Sequence, residues 1–137
     1  IITVHYGACA KISQTYLRET LEEIKSLGVK CWAVVNPDVP VENIFPVFGL
    51  CNMVLLMSVF PGYGGQKYIA EVTPKIAKAR EYARSIGKPD MDVEVDGGVT
   101  EANCAEIIKA GANVLVAGST VFNSLDTSVT IRRLRGI

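Results

Sequence analysis

The chain has no Cys-x-x-Cys pair, one histidine (His5) and one tryptophan (Trp32). Its four cysteines, Cys9, Cys31, Cys51 and Cys104, stand far apart with no histidine beside them. That argues against zinc fingers and disulfide frameworks and predicts buried free thiols in a reducing compartment, the cytoplasm. No apolar run reaches the ~20 residues that a bilayer-spanning helix needs, and no signal peptide precedes the first apolar run. Neither sign of charge is in excess, because 14 basic and 14 acidic side chains cancel. Nucleic acid and anionic membranes are therefore not expected partners. No linker or low-complexity tract divides the chain, and no hairpin signal separates its apolar runs. It opens without an initiator methionine, on Ile1-Ile2-Thr3-Val4-His5, as if entered in mid-domain.

With 137 residues, 49% of them hydrophobic, the chain has material for one core, and residues 1–137 read as a single domain or a piece of one. Short apolar or β-branched runs at 1–6, 31–35, 53–59, 91–96 and 113–117 predict strands. Between them lie helical patterns. Ser13 caps a helix with Leu17, Leu21, Ile24 and Leu27 inward and Gly28 as its stop. Pro40 opens a short helix that buries Ile44, Phe45, Val47 and Phe48 and is limited by Pro46. Thr73-Pro74 starts a helix with Ile76, Ala79, Ala83 and Ile86 inward. Thr100 caps a helix carrying Ile107 and Ile108 and ending at Gly111, and Asp126 caps a last helix through Leu134. Strands alternating with helices predict a parallel α/β sheet.

The chemistry gathers at Asp92-Val93-Glu94-Val95-Asp96-Gly97-Gly98-Val99. Alternation at period two sends Val93 and Val95 to one face and Asp92, Glu94 and Asp96 to the other. Parallel α/β folds bind ligands at the C-terminal ends of their strands. Three such ends are glycine-rich: Gly62 to Gly65, Gly97-Gly98, and Gly118-Ser119. Glycines free backbone amides to face an anion, which predicts a phosphate site, and Gly118-Ser119-Thr120 is placed to open a short extra helix. Asp96 then stands beside a phosphorylated molecule as general base or metal ligand. Glu94, one step deeper, is expected to pair with a basic core residue, and His5 to be a hydrogen-bonded core residue. Met57 and Trp32 are expected in the core or the pocket wall, and Arg132-Arg133-Leu134-Arg135 on a solvated helix face.

Four segments carry a resemblance in register along nearly the whole chain. They are Asn36-Pro37, Met57-Ser58-Val59-Phe60-Pro61-Gly62-Tyr63-Gly64-Gly65-Gln66-Lys67, Glu94-Val95-Asp96-Gly97-Gly98-Val99, and Ala110 through Ser119. The chain resembles ribulose-phosphate 3-epimerase. The resemblance implies a (β/α)8 TIM barrel of which this chain supplies about strands 4 to 8, the N-terminal barrel strands being absent. It implies interconversion of ribulose 5-phosphate and xylulose 5-phosphate in the pentose phosphate pathway, by two aspartates on opposite faces of C3 passing through an enediolate. A divalent metal ion, zinc in the first instance and iron, manganese or cobalt otherwise, would stabilise the enediolate oxygens. Asp96 matches the family's later aspartate, both acid/base and metal ligand. Gly62, Tyr63, Gly64, Gly65, Gly97, Gly98, Gly118 and Ser119 match substrate- and phosphate-binding positions, and Met57 walls the site. The loop at 61–66 would close over the substrate, and the full-length enzyme would be a homo-oligomer.

The chain also departs from the family. The His-x-Asp of the second strand, the third-strand histidine ligand and the first-strand serine have no counterpart here. His5 matches the fourth-strand histidine, which is no metal ligand. Gly7 stands where glutamate is usual, and Val39 replaces a usual helix-capping threonine. One carboxylate cannot hold the ion, so the isolated chain is expected to lack tight metal binding. Two alternatives stay open: a hexulose-phosphate epimerase or decarboxylase of the same barrel group, and a non-catalytic phosphate-binding fragment or half-barrel needing a partner.

Overall fold

In the computed structural model, which describes residues 1–137, the apolar runs become five strands. These are β1 (Ile2–His5), β2 (Cys31–Val35), β3 (Met53–Met57), β4 (Asp92–Asp96) and β5 (Val114–Val116). All neighbours pair parallel, and the sheet order is the chain order, β1-β2-β3-β4-β5. A doubly wound sheet reverses its order at a switch point, whereas a barrel wall does not. The sheet is therefore an arc of TIM-barrel type, with β1 and β5 each paired on one side only.

Period-two alternation gives the arc two unlike faces. Cys31, Ala33, Val35, Val54, Leu56, Val93 and Val95 are all buried on the convex side beneath the helices. The parallel register sets Val54 beside Val93 and Leu56 beside Val95. On the concave side the same register sets Met53, Leu55 and Met57 beside Asp92, Glu94 and Asp96.

Helices α1 (Tyr6–Ala10), α2 (Tyr16–Ser26), α3 (Thr73–Ser85), α4 (Cys104–Ala110), α5 (Gly118–Phe122) and α6 (Thr127–Leu134) follow the strands, with 3-10 helices at Val41–Val47 and Ala70–Val72. Leu21 of α2, Ile76 and Ala79 of α3 and Ile107 of α4 are nearly inaccessible and join one core cluster with the convex strand residues. Leu21, Ile76 and Ile107 each contribute about 1.5–3 kcal/mol relative to exposure. The four cysteines are free and buried.

Several local expectations need correction. Helix α1 has no amphipathic pattern to announce it, and starts because the His5 ring accepts the Gly7 amide as an N-cap. The short helix expected after Pro40 is a 3-10 helix, with Pro40 at its cap position and Pro46 inside it. Leu27 and Ile86 are exposed because each sits at a C-cap, past the last inward turn. Ile108 is also exposed, along the open side of β5. Phe45 is only half-buried and stacks face to face on Tyr82, with ring centroids 3.9 Å apart. Thr73 lies inside α3 with its hydroxyl bonded to that of Tyr68, and Val72 is the cap position. At α4 the cap position is Asn103, and the Thr100 carbonyl instead receives the Asn103 and Cys104 amides. Ser13 and Asp126 do accept helix amides, from Tyr16 and Val129.

One buried cation ties the helix layer to the strand ends. Arg80 of α3 donates to the carbonyls of Gly111, Pro89 and Met91 and to Asn113 Oδ1. Gly111 is required beneath it, since a Cβ there would lie 2.7 Å from Arg80 Cβ.

Candidate active site

The C-terminal ends of β3, β4 and β5 surround a cavity of about 350 Å³. Its wall includes Met57, Gly62, Tyr63, Gly64, Gly65, Asp96, Gly97, Gly98, Gly118 and Ser119, so every site residue expected from the sequence comes together in one place. Val59, Pro61, Gln66, Val99, Val116 and Ala117 complete it. Trp32 and His5 do not line it. The His5 ring accepts the Gly7 amide at Nδ1, which leaves Nε2 to donate to Asn36 Oδ1 at 3.0 Å. A larger cleft beside β5 and α6, lined mostly by aliphatic side chains, holds no comparable set of polar groups.

Asp96 is the one carboxylate of the cavity wall. It closes β4 on the concave face, half-buried, and burial raises its pKa above the ordinary aspartate range. Desolvation disfavours the charged form, so Asp96 is a stronger base than an exposed aspartate would be.

The turn after Asp96 is held from behind. The amide of Ser58 donates to the Asp96 carbonyl (2.8 Å), and the Ser58 hydroxyl donates to the Gly97 carbonyl (2.6 Å). Asn103 Nδ2 donates to the Gly98 carbonyl (2.9 Å), and the Thr120 hydroxyl takes the Val99 carbonyl. With those carbonyls engaged, the amides of Gly97, Gly98 and Val99 donate to no group of the protein, and neither do those of Gly62 to Gly65.

Close approach makes glycine obligatory at two of these positions. A Cβ on Gly97 would lie 2.8 Å from the backbone nitrogen of Val59, and one on Gly98 only 2.2 Å from that of Tyr68. Both residues also have positive φ, 127° and 64°. The glycine loop itself is pinned by Gln66, whose Nε2 donates to the Phe60 and Tyr63 carbonyls. Tyr63 projects outward at the rim, 76% exposed.

Glu94 departs from expectation. It is buried, yet no basic side chain meets it, and its Oε2 has no hydrogen-bond partner. The buried cation of this region, Arg80, is committed to the Gly111, Pro89 and Met91 carbonyls and to Asn113 Oδ1. Burial first, then the neighbouring Asp96 and Asp92, pushes the Glu94 pKa up. Ser58, Asn103 and Gln66 were not among the site residues expected from the sequence. Ser58 and Gln66 lie inside the motif segment, but nothing local marks Asn103.

The residues present do not fit a metal centre. No three His, Cys, Asp or Glu side chains come together anywhere in the chain, and Asp96 is the sole strong donor in the cavity.

A parallel sheet in sequential order, with glycine turns and an aspartate at its C-terminal ends, gives the chain a TIM-barrel-type α/β architecture. The family model for the ribulose-phosphate 3 epimerase family matches residues 1–122. The chain is 45% identical over 136 residues to the ribulose-phosphate 3-epimerase of Bacillus subtilis, covering 99% of this chain and 60% of that protein. It is 42% identical over 135 residues to the chloroplastic ribulose-5-phosphate-3-epimerase of Arabidopsis thaliana, covering 98% of this chain and 47% of that protein. Among solved structures, a 3-hexulose-6-phosphate synthase superposes with a TM-score of 0.64 at 17% identity, covering 98% of this chain and 60% of that one; this likeness speaks to the fold alone. The chain belongs to the ribulose-phosphate 3-epimerase family, and it spans about half to 60% of the length of these curated relatives.

Proposed function

We propose that this chain carries the phosphate-binding end and one of the two acid/base groups of a ribulose-phosphate 3-epimerase, acting on D-ribulose 5-phosphate and D-xylulose 5-phosphate. One observation supports this most: Asp96, with its raised pKa, shares a cavity with seven unengaged turn amides, at Gly62 to Gly65 and Gly97 to Val99. The cavity wall contains no Lys, Arg or His, so a phosphate held there relies on main-chain N–H groups.

The sugar then extends from the phosphate toward β4. The Asp96 carboxylate removes the C3 proton, and the electron pair moves through C2 onto the carbonyl oxygen to give an enediolate. Return of the proton to the same face regenerates the starting sugar, and delivery to the opposite face gives its epimer. This chain places no second carboxylate in the cavity, so it provides one side of the exchange. A divalent ion (zinc, or iron, manganese or cobalt) stays a proposal for the full-length enzyme, with Asp96 as a ligand. The cytoplasm and a homo-oligomeric full-length enzyme complete the proposal. No helix of the chain is long and apolar enough to cross a membrane.

Titration calorimetry with ribulose 5-phosphate and with ribulose tests the reading. Binding that depends on the phosphate supports it, and equal affinity for the two sugars refutes it. The lone carboxylate also favours a second reading, a phosphate-binding fragment without chemistry. That fragment would bind the ester and leave its C3 hydrogen untouched.

A further inference from the structure

We infer that Ser58 and Asn103 are positioning residues for the phosphate group, acting through the peptide planes of the Asp96–Val99 turn. The inference rests on the phosphate reading above and names the side chains that make that site.

A trans peptide is planar, so its carbonyl and the next residue's N–H point in opposite directions. Anchoring a carbonyl therefore aims the following amide. Ser58 anchors two such planes, through its amide on the Asp96 carbonyl and its hydroxyl on the Gly97 carbonyl. These aim the amides of Gly97 and Gly98. Asn103 Nδ2 anchors the Gly98 carbonyl and so aims the amide of Val99. Its Oδ1 meanwhile accepts the Thr100 amide (2.8 Å), which fixes the orientation of the side-chain amide itself.

All three aimed amides belong to cavity-lining residues and have no protein acceptor. Successive main-chain N–H groups left free at a turn supply an anion-binding concavity. Ser58 is fully buried and does not line the cavity, so its effect on a ligand passes through the backbone. Its carbonyl also receives the Ile69 amide (2.9 Å), closing the base of the glycine loop on the same residue. With no cationic side chain in the wall to compensate, the aim of these amides decides the affinity for phosphate.

The test is a ¹⁵N NMR titration of the 137-residue chain with inorganic phosphate, paired with calorimetry on ribulose 5-phosphate and ribulose. Ser58→Ala, Asn103→Ala and the conservative Ser58→Thr are compared with the parent. In the parent, phosphate shifts the Gly97, Gly98 and Val99 resonances. Ser58→Ala and Asn103→Ala each weaken binding of phosphate and of the phosphate ester about tenfold, leave ribulose binding unchanged, and Ser58→Thr restores most of the loss. Folded alanine variants that keep the parent's phosphate affinity, or that lose ribulose and its ester in equal proportion, overturn the inference while the phosphate site stands. If the parent's amides ignore phosphate, the phosphate site and the inference fall together. The two alanine variants lie on different elements, so misfolding of one leaves the other to decide.

Discussion

Met57 on β3 stands opposite Asp96 on β4 in the parallel register, and both line the same cavity. Burial raises the Asp96 pKa, and Met57 is the large apolar residue that the register sets beside it. Met57→Ala is therefore expected to lower that pKa toward the ordinary aspartate value. The base form of Asp96 grows as pH rises through its folded pKa, so the acid limb of any Asp96-dependent rate should move to lower pH in the variant. Carbon-13 NMR titration of the Asp96 carboxyl measures this directly. An unmoved or raised value would show that Met57 does not desolvate it.

Glycines of the site should separate sharply in stability. Gly98→Ala puts a Cβ onto the Tyr68 backbone at positive φ, and is expected to cost about 2–4 kcal/mol in urea unfolding. Gly64→Ala meets nothing within 4 Å at an ordinary φ and should stay within about 0.5 kcal/mol of the parent. Equal losses at the two positions would contradict the close-approach account.

The unpartnered Glu94 gives a stability signature in pH. Its folded pKa is raised, so between the unfolded and folded values the native state holds more protons than the unfolded chain, and stability falls as pH rises. Glu94→Gln removes that dependence. The variant should be more stable than the parent above the folded pKa, and the gap should stop changing below the ordinary glutamate value. Thermal unfolding across pH checks this, and a gap that widens toward acid would reverse the sign.

The β4 motif was legible because its evidence is local: alternation separates Val93 and Val95 from Glu94 and Asp96, and two glycines follow. Strand positions and the convergence of the glycine turns followed from the same patterns, with ends off by a residue or two. What escaped depends on partners far along the chain. Ser58 meets Gly97 across 39 positions, and Arg80 meets Gly111 across 31. The rule that buried charge is paired predicts a basic partner for Glu94, but Arg80 is engaged by Gly111, Pro89, Met91 and Asn113. Helix α1 escaped because a histidine cap, rather than an apolar stripe, starts it.

The buried thiols should be inert in the native chain. Burial pushes the Cys51 pKa up to about 12 and also raises those of Cys9 and Cys31. A thiolate-seeking reagent at neutral pH should modify these three only on unfolding. Fast native labelling at Cys51 would show that its end of β3 opens readily.

The most direct measurement of the central claim is hydrogen exchange at C3 of ribulose 5-phosphate or xylulose 5-phosphate in deuterium oxide. If Asp96 is the base on one face, the chain incorporates deuterium at C3, and Asp96→Asn lowers the rate by about 10² to 10⁴ while phosphate binding persists. Exchange equal in parent and variant, or none in a parent that binds the ester, would contradict the assignment of Asp96.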